Sequence, residues 1–274
     1  MRVVSFNVNS IRARLHQLAA VIEKHQPDVI GLQETKVVDE DFPLDAIRDL
    51  GYEAQIYGQK THYGVALLSR VPAQDVHLGF PEDHDASQRR FVEAAFDLVD
   101  GRKLRVINCY FPQGENRSHA TKFPDKERFY ADLLSHLSKH HDPDAPVLVM
   151  GDMNVAPLDL DVGIGEDNMK RWLRDGKCCF LPEEREWLQA VKDWGMVDVY
   201  RKHYPAVDDL FSWFDYRSKG FEREPRRGLR IDLILASNGL IDTSEDSGID
   251  YEIRAMEKPS DHCPIWADFA VSIR

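Results

Sequence analysis

Polar residues of one chemical kind recur where apolar runs end: Asn7, Glu34, Asp152, Asn154, Asp232 and Asp261, with His262 beside the last. Their carboxylate and amide oxygens suit a hard cation such as Mg²⁺, with Mn²⁺ as a substitute, and the lack of a Cys/His cluster speaks against structural zinc. A cation among several carboxylates is equipment for phosphoester hydrolysis. The metal offsets charge on the phosphorus oxygens and helps to acidify water, an aspartate takes the proton, and an amide or imidazole bonds the non-bridging oxygens. Each residue taken singly also reads as a turn former at a strand end. Glu34 fits that reading least, because it closes the apolar run Val29-Ile30-Gly31-Leu32-Gln33, and ligands bind at strand ends in open α/β sheets. Asp261 and His262 are neighbours, and in an extended chain neighbours face opposite sides. The acid that orients His262 must then come from elsewhere; Asp232 is the candidate, which frees Asp261 for the metal. A surface Asp-His turn before Pro264 is the competing reading of these two residues.

A second set of residues bears on substrate. From 217 to 230 the chain reads RSKGFEREPRRGLR, six basic and two acidic residues, directly after Phe211-Ser212-Trp213-Phe214-Asp215-Tyr216. Lys170, Arg171, Trp172, Arg174 and Lys177 form a smaller basic and aromatic group, and Gln88-Arg89-Arg90 a third. Cations interleaved with rings suit a polyanion carrying stackable bases. Phe211 and Phe214 are expected in the core, whereas Trp213, in so polar a loop, is the functional candidate.

The elements that must position these side chains alternate between strand and helix. Strands are expected over 3–8, 29–32, 64–69, 91–98, 104–110, 146–150, 231–236 and 264–271, and amphipathic helices over 13–25, 126–140 and 183–194. The run from 54 to 110 holds successive strands without a helix, so pairing there is antiparallel or mixed. Ser5-Phe6-Asn7-Val8-Asn9 is echoed by Val149-Met150-Gly151-Asp152-Met153-Asn154, each a strand ending in acid or amide, one spacer and Asn. Two equivalent sheets meeting at a shared site would explain the echo. No Pro/Ser/Gly-rich linker divides the chain, so 1–274 is read as one domain.

Composition excludes several classes. The 274 residues carry 35 Lys+Arg against 47 Asp+Glu, a net charge of -12, with 43% hydrophobic residues, as in ordinary globular proteins. Apolar runs such as Val147-Leu148-Val149-Met150 are far below the roughly 20 residues that span a bilayer, and the N-terminus reads as polar at once, so a cytoplasmic protein is expected. Four cysteines without C-x-x-C spacing are expected to be reduced thiols. The acidic balance rules out a protein that sheathes nucleic acid but not one with a local basic face. No G-x-S-x-G elbow, P-loop or G-x-G-x-x-G fingerprint occurs.

With these residues together, the sequence resembles the exodeoxyribonuclease III family of the endonuclease/exonuclease/phosphatase superfamily. The matching stretches run in order: Ser5-Phe6-Asn7-Val8-Asn9, Leu32-Gln33-Glu34-Thr35-Lys36, Tyr63-Gly64-Val65-Ala66, Asn108-Cys109-Tyr110-Phe111-Pro112-Gln113-Gly114, Gly151-Asp152-Met153-Asn154, the 211–221 segment and Lys258-Pro259-Ser260-Asp261-His262. The resemblance implies a four-layer α/β sandwich, two facing mixed sheets flanked by helices. It implies a Mg²⁺-dependent DNA phosphodiesterase of base excision repair, a monomer acting on double-stranded DNA at abasic sites and at 3′ ends, as endonuclease, 3′-5′ exonuclease and 3′-phosphatase, with no membrane partner. Glu34 would bind the metal with Asn7 and Asp261 nearby, Asp152 would activate water, and Asn154 would stabilise the transition state, the latter two also lying within reach of the cation. Asp232 would orient His262, and Tyr110 would place its hydroxyl at the phosphate. Trp213 would engage the missing base, with Arg90, Gln113, Arg217 and Lys219 as further DNA contacts. Ser10 and Cys263 depart from the family's usual Gly and Ala. Rival readings are a phosphodiesterase of the same fold for RNA or a phosphoinositide, and a DNA-binding module without catalysis, which would have no need of Glu34, Asp152 and His262 together.

Overall fold

In the computed structural model, which describes residues 1–84 and 87–274, the chain folds into two six-stranded sheets. The strands are β1 (Arg2–Asn7), β2 (Val29–Gln33), β3 (Glu53–Tyr57), β4 (Val65–Ser69), β5 (Gln74–Leu78), β6 (Phe91–Asp97), β7 (Lys103–Tyr110), β8 (Val147–Asp152), β9 (Met196–Asp198), β10 (Asp232–Ser237), β11 (Ser244–Ile249) and β12 (Ile265–Phe269). One sheet has the order β11-β12-β1-β2-β4-β3 and the other β5-β6-β7-β8-β10-β9. In each, a central parallel pair, β1 with β2 and β7 with β8, is flanked by antiparallel neighbours. The successive strands from 54 to 110 pair antiparallel with one another, one of the two arrangements expected, but the run changes sheets between β4 and β5.

Three apolar layers hold the sandwich. Val3, Val65, Leu67, Val92, Val106, Leu148 and Ala267 fill the space between the sheets. Helix α1 (Ile11–His25) covers the outer face of the first sheet with Ile11, Leu18, Val21 and Ile22, the spacing of one helical face, against Val4, Phe6, Ile30 and Leu32. It ends where Gln26 takes a left-handed φ of 45° before Pro27. After α2 (Leu44–Asp49), helix α3 (Lys122–His140) lays Phe129, Tyr130, Leu133 and Leu137 on the second sheet against Ile107, Val149 and Leu235. Alternate residues of one strand thus serve two layers: Val4 and Phe6 face α1 while Val3 faces the other sheet. Short α4 (Glu166–Arg174) precedes α5 (Pro182–Asp193), which starts on Pro182 and packs Leu188 and Val191 beside α3. The remaining helices, α6 (Val199–His203), α7 (Asn238–Ile241) and α8 (Tyr251–Arg254), are single turns.

The four edge-lying strands β3, β5, β9 and β11 and five of the helices lie outside the segments legible in the sequence. β5 is mostly exposed and β11 carries Glu245 and Asp246, so neither shows an apolar alternation. A polar bridge joins the sheets behind the site: Gln33 Nε2 donates to Asn108 Oδ1 (2.6 Å), and Asn108 Nδ2 donates to the carbonyls of Leu32 and Ala66 (both 3.0 Å). Gly31 permits this approach, because a Cβ there would lie 2.6 Å from Asn108 Oδ1.

Candidate active site

The C-terminal ends of both parallel pairs open at one end of the sandwich. β1 delivers Asn7, β2 delivers Glu34, β7 delivers Tyr110 and β8 delivers Asp152, with Tyr110 and Asp152 directly paired across the sheet. Strand β10 starts at Asp232, opposite Asp152 in register. The sequence echo has a common geometry. Asn9 N–H donates to Asn7 Oδ1 and Asn154 N–H to Asp152 Oδ1, both at 3.0 Å, so each chain leaves its strand through the same side-chain turn. Asn9 and Asn154 sit at φ 43° and 51°, which Asn tolerates better than most residues. Gly151 makes room in β8: at φ 148° a Cβ would meet the Cys109 carbonyl oxygen at 1.9 Å.

Asn7 is the junction between the sheets. Its Nδ2 donates to Glu34 Oε1 (2.9 Å) and to Asp152 Oδ2 (3.0 Å), holding two carboxylates together. Ligand-capable atoms of Glu34, Asp152 and His262 all lie within 4.8 Å of one another. Glu34 also meets Lys36 Nζ at 2.8 Å and lines the same cleft as Tyr110. Both Glu34 and Lys36 have φ in the left-handed region, 52° and 57°, which turns them back toward the cleft.

His262 is buried with Nδ1 at 2.8 Å from Asp232 Oδ2, and its Nε2 lies 3.7 Å from Asp152 Oδ2. The two neighbouring side chains part, as an extended chain requires. Asp261 turns to Asn9 Nδ2 (2.8 Å) and Trp213 Nε1 (3.1 Å), while His262 turns to Asp232. Burial alone would pull the His262 pKa down; Asp232 and Asp152 outweigh it and hold it up at about 10. Burial pushes the Asp152 carboxyl up to about 7, the His262 ring pulls against that shift, and the charges of Asp232 and Glu34 add to it. At neutral pH the ring therefore keeps its proton. Burial, with Glu34 beside it, also raises the Tyr110 hydroxyl well above its ordinary value and keeps it a donor.

The other expected residues divide into two groups. Asn154 is buried, with Nδ2 donating to the Phe111 carbonyl (3.0 Å), and Trp213 is half-buried, its backbone bridged to Leu229 and His262. Gln113, Arg217 and Lys219 are exposed on the loops around the cleft, and Phe211 and Phe214 are core residues as expected. Arg90, expected as a DNA contact, lies deeper than the other three. It is buried between the rings of Tyr63 (4.4 Å) and Tyr110 (4.6 Å), with Nη1 donating to the Tyr110 carbonyl (2.9 Å). It forms part of a cleft of about 360 Å³ together with Glu34, Tyr63, Tyr110 and Gln113. Trp172 likewise stacks on Phe180 (5.7 Å, 9°) inside an apolar cluster.

Several supporting residues escaped sequence reasoning. Lys36 is one: its Nζ donates to Oδ1 of Asn9 (2.6 Å), a residue that the echo of Asn154 had already marked, and Asn9 Nδ2 in turn donates to Asp261 (2.8 Å). Ser212 Oγ accepts the N–H groups of Ile231 and Asp232 (both 3.0 Å), and Ser260 Oγ donates to the Asn7 carbonyl (2.6 Å) while accepting His262 N–H (3.2 Å). Lys126, wholly buried, bonds Glu184 Oε1 (2.5 Å) and the Asn154 carbonyl (2.8 Å). No local pattern announces these.

Residues 4–262 match the Endonuclease/Exonuclease/phosphatase family. The chain is 58% identical over 269 residues to "Exodeoxyribonuclease III" of Haemophilus influenzae, covering 98% of this chain and 100% of that one. Among solved structures, a 3′ phosphatase, NExo, from Neisseria bound to a product DNA hairpin superposes with a TM-score of 0.87 at 36% identity, covering 98% of this chain and 99% of the other. An AP endonuclease from Archaeoglobus fulgidus superposes with a TM-score of 0.88 at 33% identity and the same coverage.

Proposed function

The chain belongs to the Endonuclease/Exonuclease/phosphatase family, and from that membership we infer that it is a DNA repair nuclease that hydrolyses phosphodiesters 5′ of abasic sites and at the 3′ ends of duplex DNA. The observation that carries the reading is the meeting of Glu34, Asp152 and His262 within 4.8 Å, each brought from a different strand end or loop. The 1–274 chain acts as one catalytic unit in this reading, since both sheets contribute to the site.

The residues fit a divalent cation. Glu34 and Asp152 place two carboxylates on one amide, and their ligand-capable oxygens lie within 4.8 Å of each other and of a His262 ring nitrogen. Glu34 and Asp152, with Asn7 between them, would hold Mg²⁺ or Mn²⁺; Asn154 and Asp261 stand beside them, Asp261 through Asn9. When bound, the cation supplies charge neutralisation at the scissile phosphate and acidifies water.

The chain's own residues do the rest. Asp152, a buried carboxylate with a pKa near neutrality, accepts the proton of the attacking water. The protonated His262 ring, fixed by Asp232, and the hydroxyl of Tyr110 donate to the phosphate oxygens as charge builds on them. Asn154, whose backbone is pinned to Asp152, offers its second amide hydrogen to the same oxygens. The oxygen of the attacking water stays on phosphorus, the bond from phosphorus to the 3′ oxygen breaks, and the departing oxygen takes a proton from solvent to leave a 3′-hydroxyl. Abasic incision, nucleotide removal and 3′-phosphate removal all need only a phosphoester placed against these groups. Trp213, with Arg217 and Lys219 on the loop after it and Gln113 across the cleft, would hold the duplex, while Arg90 positions Tyr110. The four unpaired cysteines accord with a reducing, cytoplasmic setting, and no helix among the described residues is long and apolar enough to cross a membrane. A monomer suffices, because one chain supplies the whole site.

The test is incision of an oligonucleotide duplex with one abasic site, with and without Mg²⁺, followed by analysis of the product ends. Cleavage 5′ of the site leaving a 3′-hydroxyl, abolished by EDTA, is expected. Undiminished cleavage in EDTA, or no cleavage of this duplex beside rapid cleavage of RNA or a phosphoinositide, would sink the assignment.

A further inference from the structure

Helix α3 ends in three histidines, His136, His140 and His141, and the strand beneath it carries Glu93 among the apolar residues of β6. The nuclease reading uses none of them. Glu93 shares a strand face with Phe91, so its carboxylate lies on the helix-covered side of the sheet, where a charge needs partners. His136 Nε2 lies 2.7 Å from Glu93 Oε2, and His141 Nε2 lies 3.4 Å from Glu93 Oε1. The side chains of His136, His141 and Glu93 are only 7%, 6% and 3% exposed.

Hydrogen bonding does not complete this cluster. His136 Nδ1 and His141 Nε2 are buried without a hydrogen-bond partner, although His141 Nε2 lies 3.4 Å from the carboxylate. Ligand-capable atoms of the three residues lie within 4.8 Å of one another. Donors at about 2.0–2.1 Å from a tetrahedral metal stand about 3.4 Å apart, the spacing already present between His141 and Glu93. The cluster opens on a cavity of about 550 Å³ that His77, Arg105 and His140 also line; His77 is the cross-strand partner of Glu93, and the His140 ring lies 4.9 Å from that of His136. Arg105 Nη1, 3.6 Å from Glu93 Oε1, is the competing cation. It has a second carboxylate, Asp75, at 3.3 Å from Nη2.

We propose that Glu93, His136 and His141 form a binding site for a divalent transition-metal cation of the zinc class, separate from the nuclease centre, which ties β6 to the C-terminal end of α3. Two imidazoles with one carboxylate favour such a cation over Mg²⁺, which prefers all-oxygen surroundings. A fourth position facing the cavity is left for water or for His140. His136 and His141 are only five residues apart in the sequence, but the site was not legible there, because Glu93 precedes His136 by 43 residues and joins it only through the packing of α3 on the sheet.

Co²⁺ alone is the probe, titrated into the full-length Glu34→Ala protein so that the nuclease centre is impaired as a competing site. One equivalent with the visible absorption of tetrahedral nitrogen and oxygen coordination is expected, displaced by Zn²⁺ and not by Mg²⁺. His141→Gln, at the end of the helix, and His136→Gln should each weaken binding by about tenfold or more. In the protein with Glu34 intact, His141→Gln should leave Mg²⁺-dependent incision unchanged. Absence of a Co²⁺ equivalent in the Glu34→Ala protein overturns the proposal, as does equal Co²⁺ affinity in the His141→Gln protein. If His136→Gln fails to fold, His141→Gln decides.

Discussion

Asp152 and His262 form a pair whose protons are shared out by three carboxylates. Replacing Asp152 by Asn keeps the shape and removes the proton acceptor, so incision should slow by about 10²–10⁴-fold. DNA affinity, read by fluorescence anisotropy in EDTA, should change only a few-fold; comparable losses in both would move Asp152 from chemistry to binding. The His262 ring, with its pKa held near 10, contributes stability that is fully present below the ordinary histidine value of about 6.5 and is lost as pH rises through about 10. Imidazole NMR of the metal-free protein should show that ring still protonated when exposed histidines have titrated. Asp232→Asn removes its nearest negative partner and should bring the titration downward. A ring titrating with the exposed histidines in the unaltered protein would contradict the charged, phosphate-facing role. The types of these residues and their places at strand ends were legible in the sequence. Which of Asp261 and Asp232 serves His262 followed from the alternation of an extended chain, and the structure agrees. The burial of Arg90 was not legible, because a cation between two tyrosine rings requires Tyr63 and Tyr110 to meet from different sheets.

At the level of elements, the segment from 211 to 232 is the one that the proposed function places against the substrate. Its backbone is sewn to neighbours by Leu229 N–H to the Trp213 carbonyl and Gly163 N–H to the Gly228 carbonyl, and Arg230 anchors it from below. That guanidinium is buried between Asp161 (2.6 Å) and Asp198 (2.7 Å). Arg230→Met should therefore lower stability in urea by about 3–5 kcal/mol, since the Arg201 guanidinium still holds Asp161 but Asp198 keeps only the Arg201 backbone N–H (3.3 Å) and no cation against its buried charge. A loss below about 1 kcal/mol would mean that the carboxylates find other compensation. Trp213→Ala tests the loop's outer end. Preference for abasic over intact duplex should fall with incision of the favoured substrate, and unchanged discrimination would remove Trp213 from damage recognition. The basic and aromatic character of this segment was visible from composition. Its anchorage was not, because Asp161, Asp198 and Arg230 are distant in sequence and each alone looks like a surface charge.

For the whole molecule, the net charge of -12 is distributed unevenly. Residues 36–53 carry six acids and two bases and 238–252 five acids and no base, whereas 217–230 has six bases and two acids. Arg230 is buried, which leaves five exposed bases on 217–230, and the proposed function lays the DNA along that narrow face. The log of the protein's affinity should fall steeply and linearly with log salt, with a slope of about 0.9 per phosphate contact; Lys219→Ala should reduce that slope by about one. A slope unchanged by the substitution would place Lys219 off the DNA path. Alternating apolar segments determined that the chain is α/β with mixed sheets, and the positions of acids and amides determined the class of chemistry, because strand period and ligand hardness are local properties. Tertiary structure alone decided that two half-sites become one. Asn7 from one sheet bonds Asp152 from the other, and Glu93 joins His136 from the helix above, because packing energy, which depends on every layer at once, sets the distances between groups that the chain keeps far apart.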